Sequence, residues 1–294
     1  MQEWIWQGIS LLVPDDWEML QYGRQWEAGK ITFADRYQFR LELNWKQVGG
    51  LPDFEKMLAD YQSKLANEQG YEDFRDYTLG AWNGFHCRGP VGWTTRVGRY
   101  FERGSRLIEV VFLWPDRVNL ELADRVLRSI GQVSEKAGFL RWRAFGLDCM
   151  FSQGLHLSVC EVAPASVRLK FVDRERARHV EEFRRLGLVK QWLGCSVEEW
   201  LTMQAPQRVH ERRVRTVTRN DHHVIQDRGF MPALQFPKFN HRKNIYMADS
   251  WICPFDERLY FVARIMSARD SKAGPEDLAA HYSVCCPRLA NGTT

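Results

Sequence analysis

No apolar run in this 294-residue sequence approaches the roughly 20 residues a membrane-crossing helix needs. The opening Met-Gln-Glu-Trp-Ile-Trp has no basic region followed by a long apolar region, so no secretion signal is expected and the expected compartment is the cytoplasm. Catalytic signatures are missing too. There is no Gly-x-Ser-x-Gly elbow, no His-Glu-x-x-His and no Cys-x-x-Cys pair. Gly49-Gly50 and Gly89-Pro90-Val91-Gly92 lack the Lys-Ser/Thr or three-glycine spacing that cradles phosphate. His86 and Cys87 are neighbours on a strand-like run, so they point to opposite faces and form no dyad. The chain is therefore not expected to be an enzyme, and no cofactor is expected.

Cysteine is present but poorly placed for disulfides. The seven residues are odd in number and irregularly spaced, which reads as reduced, mostly buried thiols. What is abundant is apolar and aromatic: hydrophobic residues make up 45% and there are 12 Trp. That profile fits a globular protein with enough chain for two cores. Charge is uneven. Residues 1–138 hold 17 Lys/Arg against 20 Asp/Glu and residues 139–294 hold 24 against 17, so net charges of −3 and +7 give the overall +4.

The pattern of elements occurs twice. In the first half, Gly8 to Val13 and Ile31 to Phe33 precede an alternating run with Phe39, Leu41, Leu43 and Trp45 on one face. A helical stretch from Pro52 to Ala66 follows, with Phe54, Met57, Leu58, Tyr61 and Leu65 as its apolar stripe. Phe74 to Cys87 reads as strand with a turn at Asn83-Gly84, then a hairpin over Val97 to Trp114 and a helix from Val118 to Ile130. From residue 140 the order returns. Phe145 to Phe151, Leu155 to Cys160 and the Val167, Leu169, Phe171 run lead to a helix expected over Arg174 to Leu193. A second helix starts at the Ser196/Glu199 capping box. A strand ends at Arg228-Gly229-Phe230, a hairpin runs from Ile245 to Ile265, and a short helix is expected from Gly274-Pro275. The reading is α+β, two tandem domains at 1–131 and 140–294 joined by a linker at 132–139, each an antiparallel sheet backed by helices. Such a pair would form a pseudo-dimeric monomer or a homo-oligomer.

The phrase Gly8-Ile9-Ser10-Leu11-Leu12-Val13-Pro14-Asp15-Asp16-Trp17 resembles the opening of the Mog1/PsbP-like superfamily, in which a strand, Pro, polar residues and Trp commonly begin the domain. Element order across residues 1–131 is similar to that fold. The second half departs from it, with Ser152-Gln153-Gly154-Leu155 at the equivalent place. The resemblance implies small, mostly non-catalytic binding or accessory domains, one bacterial branch of which serves as chaperones for secretion-system effectors. It carries no catalytic residue set.

Three constellations are candidates for function. Arg213, Arg215 and Arg219 alternate on one face of a basic strand and could track a phosphate backbone, although alternating Arg is also what a solvated sheet face looks like. An insertion from Met231 to His241 carries Phe236 and Phe239 between Pro232 and Pro237 and is a candidate partner-binding loop. His222, His223, His281, Cys285 and Cys286 could converge on a metal, but free Cys is also ordinary core filler; no metal is expected. The leading expectation is a non-catalytic adaptor or chaperone that binds another protein. A nucleic-acid binder using the arginine face is the alternative, and a metal-dependent enzyme the third.

Overall fold

The computed structural model describes residues 1–68, 70–174, 179–232, 243–268, 278–279 and 283–286. The chain divides into two compact units, Met1–Val133 and Ser134–Thr294.

In the first unit, β1 (Gln2–Trp6) and β2 (Ile9–Val13) form a hairpin. Then come β3 (Glu18–Tyr22), β4 (Ala28–Ala34), β5 (Phe39–Gln47), α1 (Phe54–Ala66), β6 (Glu72–Leu79), β7 (Trp82–Gly89), β8 (Gly92–Phe101), β9 (Arg106–Trp114), α2 (Leu120–Ser129) and β10 (Gly131–Gln132). Seven strands make one antiparallel sheet in the order β3-β4-β5-β9-β8-β7-β6. Period-2 alternation sends Phe33, Leu41, Leu43, Val110 and Phe112 to one buried face. The β1–β2 hairpin closes on that face, with Trp4 edge-on to Phe33 at 5.4 Å. Arg106 fastens it, reaching the carbonyls of Gln7 and Trp26. Helix α2 covers the same face near β7, where Trp82 Nε1 donates to Leu127 O at 3.2 Å. On the opposite face, α1 lays Leu65 and Leu58 against Phe85 and Cys87.

The second unit repeats the plan. Its elements are β11 (Phe139–Ala144), β12 (Leu147–Ser152), β13 (Leu155–Ala163), β14 (Ser166–Asp173), β15 (Val180–Leu186), α3 (Val189–Trp192), α4 (Val197–Gln204), β16 (His210–Arg219), β17 (His222–Pro232), β18 (Lys243–Ile252), β19 (Leu259–Ser267) and β20 (Ser283–Val284). The large sheet runs β13-β14-β15-β19-β18-β17-β16, the same connectivity as in the first unit. The β11–β12 hairpin packs on one face, with Phe151 stacked on Phe171 at 4.2 Å and Trp142 edge-on to the same ring at 5.3 Å. The other face holds Tyr246, Ala248, Leu259 and Phe261 under Trp200 and Leu201 of α4.

The expected helix-backed α+β class is corrected: the described residues are 56% strand and 14% helix, arranged in antiparallel sheets. Two physical reasons account for the difference. A hairpin of strands packs on the apolar face in each unit, joined by helix α2 in the first. In addition, the expected helix at Arg174 to Leu193 is replaced, within the described residues, by strand β15 and the single turn α3. Its charges mimic a solvated helix, yet in β15 Glu181 and Phe183 are buried with strand spacing. Glu182 pairs with Arg168 and Arg184. The expected helix start at Gly274-Pro275 lies outside the described residues.

A smaller correction concerns Asn83-Gly84. The turn falls at Gly80-Ala81, and Gly84 sits inside β7. A Cβ there would lie 1.9 Å from the Arg96 carbonyl oxygen, so glycine is required by close backbone approach, not by a turn.

Candidate metal centre

Four side chains of the second unit bring their donor atoms together: His222, Cys253, Cys285 and Cys286, all within 4.8 Å of one another. Each is delivered by a specific local structure. Asn220 and Asp221 both adopt positive φ, 43° and 68°, as the tight hairpin turn between β16 and β17 demands. That turn makes His222 the first residue of β17, opposite Arg219 in the ladder. Its Nδ1 meets the carbonyl oxygen of Asn220 at 2.8 Å. Donation to that oxygen sets the tautomer that leaves Nε2 with a free lone pair facing the sulfurs.

Cys253 follows the last residue of β18. The β17–β18 register pairs Ile225 with Ser250, and carried three residues further it sets His222 opposite Cys253. A tight loop follows. Cys253 N donates to Arg258 O at 2.9 Å, and Glu257 N donates to Cys253 O at 3.0 Å. Inside this loop the backbone N–H groups of Phe255 and Asp256 hydrogen-bond to the Cys253 sulfur and oppose the effect of burial, which raises its thiol pKa. Donors aimed at a sulfur favour the thiolate, the form that binds metal.

Cys285 and Cys286 follow β20, whose Ser283 and Val284 pair with Cys149 and Asp148 of β12. Upstream, the Ala279 N–H donates to the buried Asp249 carboxylate at 3.0 Å. The Trp251 indole N–H donates to Cys285 Sγ at 3.3 Å. Burial pushes the Cys285 thiol above its ordinary range, and the neighbouring Cys253 and Cys286 act in the same direction.

The distances describe a coordination polyhedron. Cys285 Sγ lies 3.3 Å and Cys286 Sγ 3.5 Å from His222 Nε2, and the two sulfurs are 3.9 Å apart. A tetrahedral ion with Zn–S of about 2.3 Å and Zn–N of about 2.0–2.1 Å needs S···N edges near ~3.6 Å and S···S edges near ~3.8 Å. His222, Cys285 and Cys286 thus stand within a few tenths of an ångström of the required edges, and Cys253 lies within 4.8 Å of each of them. Cys₃His is a recognised zinc set, and thiolates with imidazole disfavour Mg²⁺ and Ca²⁺.

Other sequence candidates are placed differently. His223 points to the opposite face of β17, is exposed, and meets Thr218 Oγ1 at 3.3 Å. His281 lies outside the described residues, as do Phe236 and Phe239. Arg213 and Arg215 are exposed on the edge strand β16, where Arg215 Nε donates to Gln226 Oε1 at 2.9 Å. Arg219 is half-buried beside His222 in the ladder. Sequence reading missed Cys253 altogether. Its one local signal is a Cys-Pro step directly after an apolar strand, and what brings it to the cluster is a cross-strand register with His222, 31 residues earlier in the sequence.

No family model and no curated protein matches this sequence. Among solved structures, the chain is similar to the apo structure of immunity protein TplEi of T6SS from Pseudomonas aeruginosa, at 8% identity and a TM-score of 0.33, over 87% of this chain and 93% of that one. None of the helices among the described residues is long and apolar enough to cross a membrane.

Proposed function

We propose that the second unit binds one zinc ion through His222, Cys253, Cys285 and Cys286, that the ion is structural, and that the chain is a non-catalytic binding protein with another protein as its partner. The observation that supports this reading is the count of protein donors at the tetrahedron. Catalytic zinc keeps a position open for water or substrate, whereas structural zinc is enclosed by four protein ligands. A closed site leaves no coordination position for chemistry, which favours the adaptor reading over the metal-dependent enzyme.

The ligands also suggest what the ion does. Two come from the β17 and β18 strand ends of the large sheet, and two from the segment that follows β20. One ion therefore cross-links parts of the chain 63 residues apart, His222 to Cys285. Zinc would supply enthalpically what a two-residue strand cannot.

The test is elemental analysis of gently purified full-length protein, with native mass spectrometry of the same sample. One zinc per chain, lost in C253S, and a co-purifying protein chain are the expected results. Metal-free protein that takes up no zinc from buffered solution would end the metal reading. A stoichiometric zinc with catalytic turnover that persists after tetrahedral Co²⁺ exchange would end the structural one.

A further inference from the structure

Resting on the zinc reading, we propose that Cys253 and Cys285 are a modification site: peroxide joins them as a disulfide and expels the metal.

The argument starts from geometry. The donor atoms of Cys253, Cys285 and Cys286 lie within 4.8 Å of one another, so any two sulfurs have at most about 2.8 Å to close to reach an S–S bond of about 2.0 Å. The pairs are not equivalent. Adjacent residues across a trans peptide have Cα atoms about 3.8 Å apart, below the roughly 4.4–6.8 Å span of ordinary disulfides. That disfavours Cys285–Cys286 despite their 3.9 Å sulfur separation. Cys253 approaches from a different strand, and its side chain already hydrogen-bonds with that of Cys285.

Exposure sets the order of events. Cys285 and Cys286 are half-buried, while Cys253 is fully buried. A small oxidant therefore meets Cys285 before Cys253. The Cys285 thiolate attacks one oxygen of hydrogen peroxide, the O–O bond breaks, and hydroxide leaves as a sulfenic acid forms. The Cys253 thiolate then attacks that sulfur, an S–S bond forms and a second hydroxide leaves. Two protons from the buffer convert both hydroxides to water. The two sulfurs lose two electrons in total and the peroxide gains them. The ion is left with Cys286 and His222, two ligands of four, and dissociates. A thiol reductant reverses the step and restores the site.

The experiment uses zinc-loaded full-length protein treated with hydrogen peroxide, with released zinc read by a chromophoric chelator and the product by intact mass and peptide mapping. The expected result is one equivalent of zinc released together with a loss of 2 Da and a Cys253–Cys285 cross-linked peptide, both reversed by reductant. A C160S/C195S variant, which removes two half-buried thiols outside the cluster, should behave the same. Zinc that stays bound at peroxide levels that oxidise Cys160 or Cys195 would overturn the inference while leaving the zinc reading intact. Release accompanied by sulfinic or sulfonic acid, or by a different disulfide, would overturn it equally. Protein that binds no zinc before peroxide is added would remove the reading and the inference together.

Discussion

His222 Nε2 faces Cys285 Sγ at 3.3 Å, while the ring of the next residue, His223, turns to the other side of the same strand. The two histidines are therefore an internal control. His222→Ala should abolish tetrahedral Co²⁺ absorption and lower the unfolding temperature of the metal-loaded protein. His223→Ala should leave both unchanged within about 0.5 kcal/mol, the usual range for a surface substitution. Zinc at a thousandfold its dissociation constant adds about 4 kcal/mol to a native state that alone binds it. Thermal scans with and without chelator measure this contribution directly.

Buried His86 makes the first unit sensitive to acid. Its Nδ1 meets Thr95 Oγ1 at 2.7 Å, and the Trp114 indole N–H donates to the same hydroxyl at 2.8 Å. The hydroxyl accepts from Trp114 and so gives its own proton to an unprotonated Nδ1. Burial, aided by Arg75, lowers the His86 pKa from 6.5. The unfolded chain then binds a proton as pH falls through about 6.5 while the native one does not, so stability present above that pH is lost progressively below it. Urea midpoints at pH 7.5 and 5.5 should show this loss, and His86→Gln should reduce it.

Gly84 tests the packing of the first sheet. Any side chain there collides with the backbone of β8 and not with a movable group. Gly84→Ala should cost about 3 kcal/mol or more, at or above the upper end of the overpacking range, and Gly80→Ala in the exposed turn much less. Denaturant unfolding of both variants makes the comparison.

Glu181 anchors the β12 end of the second unit. Its buried carboxylate accepts from Ser152 N at 2.9 Å and Ser152 Oγ at 2.6 Å, meets His179 Nε2 at 3.0 Å, and pairs with buried Arg264 at 3.3 Å. Glu181→Gln removes the charge opposite the Arg264 guanidinium, which keeps its contacts to His179 Nε2 and Ser152 Oγ at 3.4 Å, and should cost roughly 1–3 kcal/mol. A Glu181→Leu/Arg264→Met double variant should recover much of that loss, since both charges leave together. Calorimetry on the three proteins decides it.

Much of the strand pattern was legible because alternation is local. Leu41, Leu43 and Trp45 are buried in β5 as their spacing implies, although Phe39 at its start is exposed. The Ser196/Glu199 capping box marks α4, where both reciprocal hydrogen bonds form. Arg174 to Leu193 misled because buried ion pairs place charge on a strand that sequence reads as a solvated helix. The candidate metal site was only half visible. Cys285-Cys286 and His222 are conspicuous, but nothing near Cys253 in sequence announces that β18 ends opposite β17, and no local period encodes that register.

The two units fill one topological position differently. Trp82 opens β7 as His222 opens β17, each directly after a two-residue turn and each on the sixth strand of its sheet. In the first unit the indole docks under α2. In the second, imidazole and three thiols take that place. The consequence of the proposed zinc site reaches beyond architecture: one half of the polypeptide would stay folded without metal, and the other would draw on a trace nutrient. Its abundance in a cell should follow zinc supply, with starvation exposing the second half to proteolysis while the first persists as a resistant fragment.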